Sequence, residues 1–339
     1  MHLSVLDVCP VAAGATTSDA IDDAGALARS AEALGLARYW LAEHHNTATI
    51  ASSVPSILIA HLAAATSTLR IGSGGVMLAN HAPLHVAESF RLLEAMHPGR
   101  IDLGIGRAPG TDGRTALALR RSAAALRADD FPSELDDLLA FLTDSLAADH
   151  PLAGVTASPR GGDAPPVYLL GSSGYSAQLA AELGLGFAFA HHINPGPAAS
   201  VLRHYRDHFR PSRWSAEPYA ILGLSALAAD DDETAEHLAA TLDLAWLRIA
   251  QGRTGPAPSF EEALAHRYSP DEEALRRANR TRHTIGSGER VAARLRVMAD
   301  EAAADEVMVL TMAHDLASRR RSYELLAEQL VHPVAATSG

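Results

Sequence analysis

Eight short apolar runs, separated by longer segments whose apolar residues recur every three or four positions, constrain this chain more than any other feature. The runs are LSVLDV (3–8), RYWLAE (38–43), LRIGSGGVML (69–78), RIDLGIG (100–106), PVYLLG (166–171), GFAFA (186–190), YAILGLSAL (219–227) and EVMVLTM (306–312). Several are apolar throughout, as strands are when helices cover both faces of a parallel sheet. Between them, DAIDDAGALARSAEALG and ERVAARLRVMADEAA show the helical spacing. An eight-fold alternation of strand and helix favours closure into a (β/α)8 TIM barrel over an open doubly wound sheet. A single barrel over residues 1–335 is expected, with excursions at about 128–165 and 251–283. The first should hold an additional helix and a loop rich in Gly, Pro and Ser. The second should be a long lid-like insertion before the last helix and strand. Its arginines, in RRANRTRH, suit either that lid or a solvated helix face.

Hydrophobic residues make up 47% of the 339, ample for such a core. No run approaches the roughly 18 apolar residues of a membrane span. The start, MHLSVLDVCP, lacks the basic patch and cleavage site of a secretory signal, so a soluble cytoplasmic protein is expected. A formal charge of -12 repels nucleic acid and anionic membranes, and neither is expected as a partner. A phosphate-bearing ligand therefore requires a local cationic pocket. The single cysteine, Cys9, excludes an internal disulfide and a cysteine cage for metal. All 28 cationic side chains are arginine, which excludes Schiff-base chemistry, a carbamylated-lysine metal site and the P-loop lysine.

In a barrel of this kind, residues at the carboxyl ends of the strands converge on one mouth. Glu43, His44 and His45 arrive where the second strand leaves the core. Successive strand residues point to opposite faces, so His44 and His45 should not both face the pocket. His191 and His192 occupy the analogous end of the sixth strand, which makes metal ligation a rival reading. The first strand offers only Met-His-Leu, however, and no bridging lysine exists, so no metal is expected. His81 and His85 lack the following glutamate of a zinc helix and read as hydrogen-bonding groups near a helix start.

Gly74 and Gly75 inside a strand mark either a packing bulge or the close approach of a flat ligand to bare backbone. Gly104-Ile105-Gly106 imitates a dinucleotide fingerprint, but Pro109 and the missing third glycine argue against it. Arg107 lies on the mouth side of the fourth strand and needs an anion. Gly171-Ser172-Ser173-Gly174 supplies a site for one, because a strand ends there and a helix begins, leaving N–H groups and hydroxyls beside a positive helix end. Ordinary N-capping by serine is the alternative reading of that turn.

Taken together, LAEHHNT, RIGSGGVMLANHAPLHVAESFRLLEAMHPGRIDLGIGRAPGTD, LLGSSGYSAQLAAELGLGFAFA and IGSGERVAARL resemble the bacterial luciferase-like flavin-dependent monooxygenases over nearly the whole chain. The resemblance implies FMN at the mouth, with its ring against Gly74 and Gly75 and its phosphate at Arg107, Ser172, Ser173 and Tyr175. It implies a catalytic role for His44, and it assigns His45, His191, His192 and Asn194 to the organic substrate. The family often has a non-prolyl cis peptide matching Gly74-Gly75. The activity implied is oxygenation of a small organic substrate by reduced FMN and O2, with natural-product (antibiotic) tailoring as the expected setting. No second nucleotide fingerprint is evident, so a separate flavin reductase is the expected partner, and relatives suggest a homodimer. Two alternatives remain at this stage: a deazaflavin-dependent hydride-transfer oxidoreductase and a non-catalytic flavin-binding accessory protein.

Overall fold

Each of the eight runs forms a strand in the computed structural model, which describes residues 1–108, 110–120, 130–253 and 255–331. Pro109, residues 128–129 and 254 of the two excursions, and the stretch 332–335 lie outside the described residues. The strands are β1 (His2–Asp7), β2 (Arg38–Leu41), β3 (Arg70–Ser73), β4 (Val76–Met77), β5 (Ile101–Gly106), β6 (Val167–Gly171), β7 (Gly186–Ala190), β8 (Ala220–Ala229), β9 (His283–Ser287) and β10 (Glu306–Leu310). Every pairing between them is parallel. The path runs β1-β2-β3-β5-β6-β7-β8, and β10 pairs with both β8 and β1, so the sheet closes as an eight-stranded barrel. Closure removes the edges that an open sheet would expose.

Two strands depart from the sequence expectation. The run 69–78 is broken into β3 and β4 at a cis Gly74-Gly75 peptide, after which β4 continues along β5. HTIGS (283–287) forms β9, an additional strand that the sequence reading did not anticipate; it begins at His283, where the lid-like excursion was expected to end. It pairs with Ser225–Ala229, on the side of β8 that β7 occupies lower down. Being short and polar, it carries no apolar run to betray it.

The described helices are α1 (Thr17–Ala33), α2 (Pro55–Ala64), α3 (Pro83–Met96), α4 (Gly113–Arg120), α5 (Phe131–Leu142), α6 (Gly174–Leu183), α7 (Ala198–His208), α8 (Asp232–Leu238), α9 (Ala240–Ala250), α10 (Phe260–Ala265), α11 (Pro270–Arg280), α12 (Gly288–Ala302) and α13 (Leu316–Leu330). In α1 the Thr16 and Asp19 side chains exchange bonds with each other's backbone, and Ala20, Ala24, Leu27, Ala28 and Ala31 turn inward at helical spacing. None of the described helices is long and apolar enough to cross a membrane. In the first excursion, α5 is followed by a loop anchored by the buried Arg91 of α3. Its guanidinium donates to Ala157 O at 2.8 Å and pairs with Asp144 at 2.6 Å.

Two apolar layers result. The larger lies between the sheet and its helices, and a smaller one, including Leu6, Trp40, Ala188, Ile221 and Met308, fills the barrel. Its floor is ionic. Arg38 donates to Asp102 at 2.9 Å, Glu306 at 3.0 Å and the Tyr168 hydroxyl at 3.0 Å. Asp102 also accepts from Arg70 and from Trp40 Nε1 at 3.1 Å, and Tyr219 donates to Glu306 at 2.7 Å. These residues lie toward the amino ends of their strands, the rim that serves stability in such barrels.

Candidate active site

At the opposite rim a cavity of about 1780 Å³ opens between the strand ends and the helices after β8. Trp40, Met77, Leu170, Phe189 and Leu310 give it a largely apolar wall, and polar groups enter from a few strand ends.

Polarity at the end of β2 has two separate uses. Glu43 is fully buried and turns away from the cavity. Its carboxylate receives Met77 N at 3.0 Å, Asn80 Nδ2 at 3.2 Å, His81 Nε2 at 2.9 Å and His45 Nε2 at 2.7 Å. Burial opposes its ionisation, but the bonds from His81, His45 and Met77 outweigh that and hold the carboxyl below its ordinary value. Glu43 thereby ties the segment after Gly75 to β2. His45, expected at the substrate, belongs to this buttress and is not on the cavity wall. His44 is on the wall. Its Nδ1 is buried without a hydrogen-bond partner, and burial lowers its pKa against the pull of the Ala42 backbone.

Gly74 and Gly75 also face the cavity; the barrel demands glycine at Gly75, where a Cβ would meet backbone, and leaves little room for one at Gly74. A Cβ on Gly74 would lie 2.8 Å from Leu6 Cδ1, and one on Gly75 2.8 Å from Gly104 O. Bare backbone is consequently presented to the cavity beside His44.

Across the mouth, Arg107 follows β5, and Ser172 and Ser173 follow β6; all three line the same cavity. Ser173 is the N-cap of α6, yet its hydroxyl makes no capping bond, so hydroxyls and first-turn N–H groups remain available. Arg107 has no ion pair among the described residues; its guanidinium lies 4.6 Å from the centre of the Tyr175 ring. Tyr175, expected to touch phosphate, is off the wall and sets the guanidinium by stacking. Asn194, expected at the substrate, is also off the wall: its Nδ2 donates to Ser172 O at 2.9 Å and braces the serine turn. Ser176, one helical turn into α6, is buried and lines the cavity, a contact that the sequence reading missed.

Of the histidine pair after β7, only His192 reaches the cavity. Its Nδ1 donates to Gly223 O at 3.1 Å, which leaves Nε2 as the acceptor of a neutral ring. His191 points elsewhere, and burial, with the charges of His192 and Arg294, pushes its pKa down to about 4. A third cavity imidazole, His283, is carried in by β9. Burial and the neighbouring Arg280 push it down to about 4. Imidazole alternation along a strand offers a signal for His44 against His45, but nothing local marks His283.

The lid is pinned rather than loose. Asp243 of α9, 4% exposed, pairs with Arg280 at 2.6 Å and Arg276 at 3.3 Å from α11. Arg277, between them, is the solvated one. The arginine-rich stretch therefore divides by helical phase into paired and solvated side chains.

The low imidazole values have a sign that is measurable. His191 and His283 titrate near 6.5 when unfolded and near about 4 when folded. Between those values the unfolded chain binds protons that the folded chain refuses, so stability falls as pH drops through this window. Urea unfolding at stepped pH should show it. A His283→Phe variant should gain on the parent progressively below pH 6.5; a constant difference would contradict the assignment.

The chain that builds this cavity is similar over nearly its whole length to known proteins. The luciferase-like monooxygenase family model matches residues 1–306. The Luciferase-like monooxygenase of Escherichia coli (strain K12) is 42% identical over 95% of each chain. The N-acetyl-S-alkylcysteine monooxygenase of Bacillus subtilis (strain 168) is 33% identical over 98% of each. Among solved structures, apo-MsnO8 superposes with a TM-score of 0.87 at 40% identity, covering 97% of both chains. Two more distant ones share the fold. The oxygenating constituent of 3,6-diketocamphane monooxygenase from Pseudomonas putida, in complex with FMN, has a TM-score of 0.68 at 17% identity over 97% of both chains. An F420-dependent secondary alcohol dehydrogenase has 0.70 at 13%, covering 96% of this chain and 97% of the other. With the family model matching residues 1–306 and a relative 42% identical over 95% of each chain, the chain belongs to the luciferase-like monooxygenase family of oxidoreductases.

Proposed function

We propose that this enzyme binds reduced FMN, delivered by a separate reductase, and uses it with dioxygen to oxygenate a small, largely apolar organic molecule. One observation carries the reading: Arg107 and the Ser172-Ser173 turn share a single cavity with Gly74, Gly75 and His44. The donor set fits the cofactor, with a guanidinium, two hydroxyls and a helix N-terminus for a phosphate dianion and glycine backbone for a flat ring. When bound, reduced FMN supplies the electrons and the activation of oxygen. The chain's own residues do the rest. Arg107, held by Tyr175, and the serine turn, braced by Asn194, fix the phosphate. The lid, latched through Asp243, excludes water, and the His44 imidazole exchanges a proton at the reacting end.

An anaerobic titration with reduced FMN, followed by an oxygen pulse and absorbance scans, tests the proposal. Binding and reoxidation slower than that of free reduced FMN are expected. Turnover supported anaerobically by reduced deazaflavin but not by FMN would replace it with hydride transfer of the F420 type. An Arg107→Ala variant should raise the FMN dissociation constant roughly 10- to 150-fold, the loss of about 1.5–3 kcal/mol from a charge-assisted bond. Unchanged affinity would remove Arg107 from the phosphate site.

A further inference from the structure

Beyond the cofactor groups, β8 carries a polar side chain into the cavity. Ile221, Gly223 and Ser225 alternate inward along it. Ser225 is 4% exposed and sits between Leu310 of β10 and His283 of β9. His283 Nδ1 lies 2.8 Å from Ser225 Oγ, and His283 Nε2 lies 3.2 Å from Asn279 Nδ2. An amide nitrogen only donates, so Nε2 is the acceptor and the imidazole proton is on Nδ1. That proton goes to Ser225 Oγ. The serine oxygen is thereby used as an acceptor, and its own hydrogen is left over. Among the described residues no second partner takes it. A donor left without an acceptor costs roughly 1–3 kcal/mol, so an acceptor placed in the cavity opposite this hydroxyl is favoured.

We infer that Ser225 is a substrate-binding residue whose hydroxyl, oriented by Asn279 through His283, donates to an uncharged oxygen acceptor on an otherwise apolar substrate. The acceptor is neutral because the relay behind it is neutral. The nearby guanidiniums of Arg276 and Arg280 are already engaged by Asp243, Glu273 and Glu236. The relay also spans two bodies of the mouth, since Ser225 belongs to the barrel and Asn279 to the lid helix α11. Substrate recognition is in this way conditional on the lid being in place.

The inference rests on the proposed oxygenase reading only in calling the ligand the substrate. Calorimetric titration of the FMN-loaded protein with nonan-2-one and with 2-methylnon-1-ene tests it, because the two differ in a carbonyl oxygen against a methylene group. The ketone should bind about 2- to 12-fold more tightly, the range of one net neutral hydrogen bond. Ser225→Ala should bring that ratio to about one while leaving the alkene affinity in place, Ser225→Thr should retain it, and Asn279→Ala should reduce it by releasing the imidazole tautomer. A ratio near one in the parent protein, failure of both probes to bind, or a ratio unchanged in Ser225→Ala overturns the assignment. Nonanoate binding more tightly than the ketone overturns its neutral character and makes Arg282, which also lines the cavity, the receptor instead. FMN affinity is measured separately. If FMN does not bind but the ketone preference persists in the cofactor-free protein, the oxygenase proposal falls and Ser225 keeps its role.

Discussion

A His44→Ala variant is expected to oxygenate substrate roughly 10²- to 10⁴-fold more slowly, the usual contribution of a positioned proton-transfer group, while binding FMN almost as well. The imidazole lines the same cavity as Gly74 and Gly75, whereas Arg107, Ser172 and Ser173, proposed to hold the phosphate, follow other strands, so truncation should leave them in place. Burial lowers its pKa, which keeps the ring neutral at pH 7 and able to accept a proton. For the same reason the acid limb of the rate profile should lie below pH 6.5 and be absent from a His44→Gln variant. Steady-state rates at saturating reduced FMN, paired with FMN affinities, separate this role from a structural one. Oxygenation at the parental rate by the alanine variant would end the assignment.

An Asp102→Ala variant should lose about 3–5 kcal/mol of stability, the cost typical of removing one partner from a buried ion pair. Asp102 is fully buried and takes hydrogen bonds from Arg38, Arg70 and Trp40. Its loss leaves the Arg38 charge in the barrel floor with only Glu306 as carboxylate partner, and leaves the Trp40 indole donor unpaired. Replacing the floor as a whole by packed apolar residues should cost far less, since ionic networks of this kind are often neutral against well-packed hydrophobes. Urea unfolding of the single and combined variants checks both statements. A loss under 1 kcal/mol for Asp102→Ala would show that water enters the floor. FMN affinity should persist under native conditions, because the floor is at the other end of the strands.

The candidate site was legible wherever strand phase and chain direction suffice. An arginine or a serine turn directly after a strand must emerge at the mouth, and Arg107, Ser172 and Ser173 do. Side chains further along a loop escape that argument. His45, His191, Asn194 and Tyr175 lie within a few residues of the strands' ends, yet none is on the cavity wall; His45 turns to Glu43, Asn194 to Ser172 O and Tyr175 to Arg107. His283 was hidden for the opposite reason. It is 58 residues from the serine it touches, and only the folding back of the lid onto β8 brings them together.

What the chain's own order of residues settled is a parallel sheet covered by helices, because each run must pair its backbone and bury both faces, with the eight-fold count favouring the closure that β10 completes against β8 and β1. It settled equally that any permanently cationic side chain at the mouth would be arginine, there being no lysine. What awaited the folded structure is the partnering of polar groups. Hydrogen bonds act over about 3 Å and between residues distant in sequence, so which imidazole braces a carboxylate, which faces the cavity and which orients a serine are properties of the closed barrel and its lid.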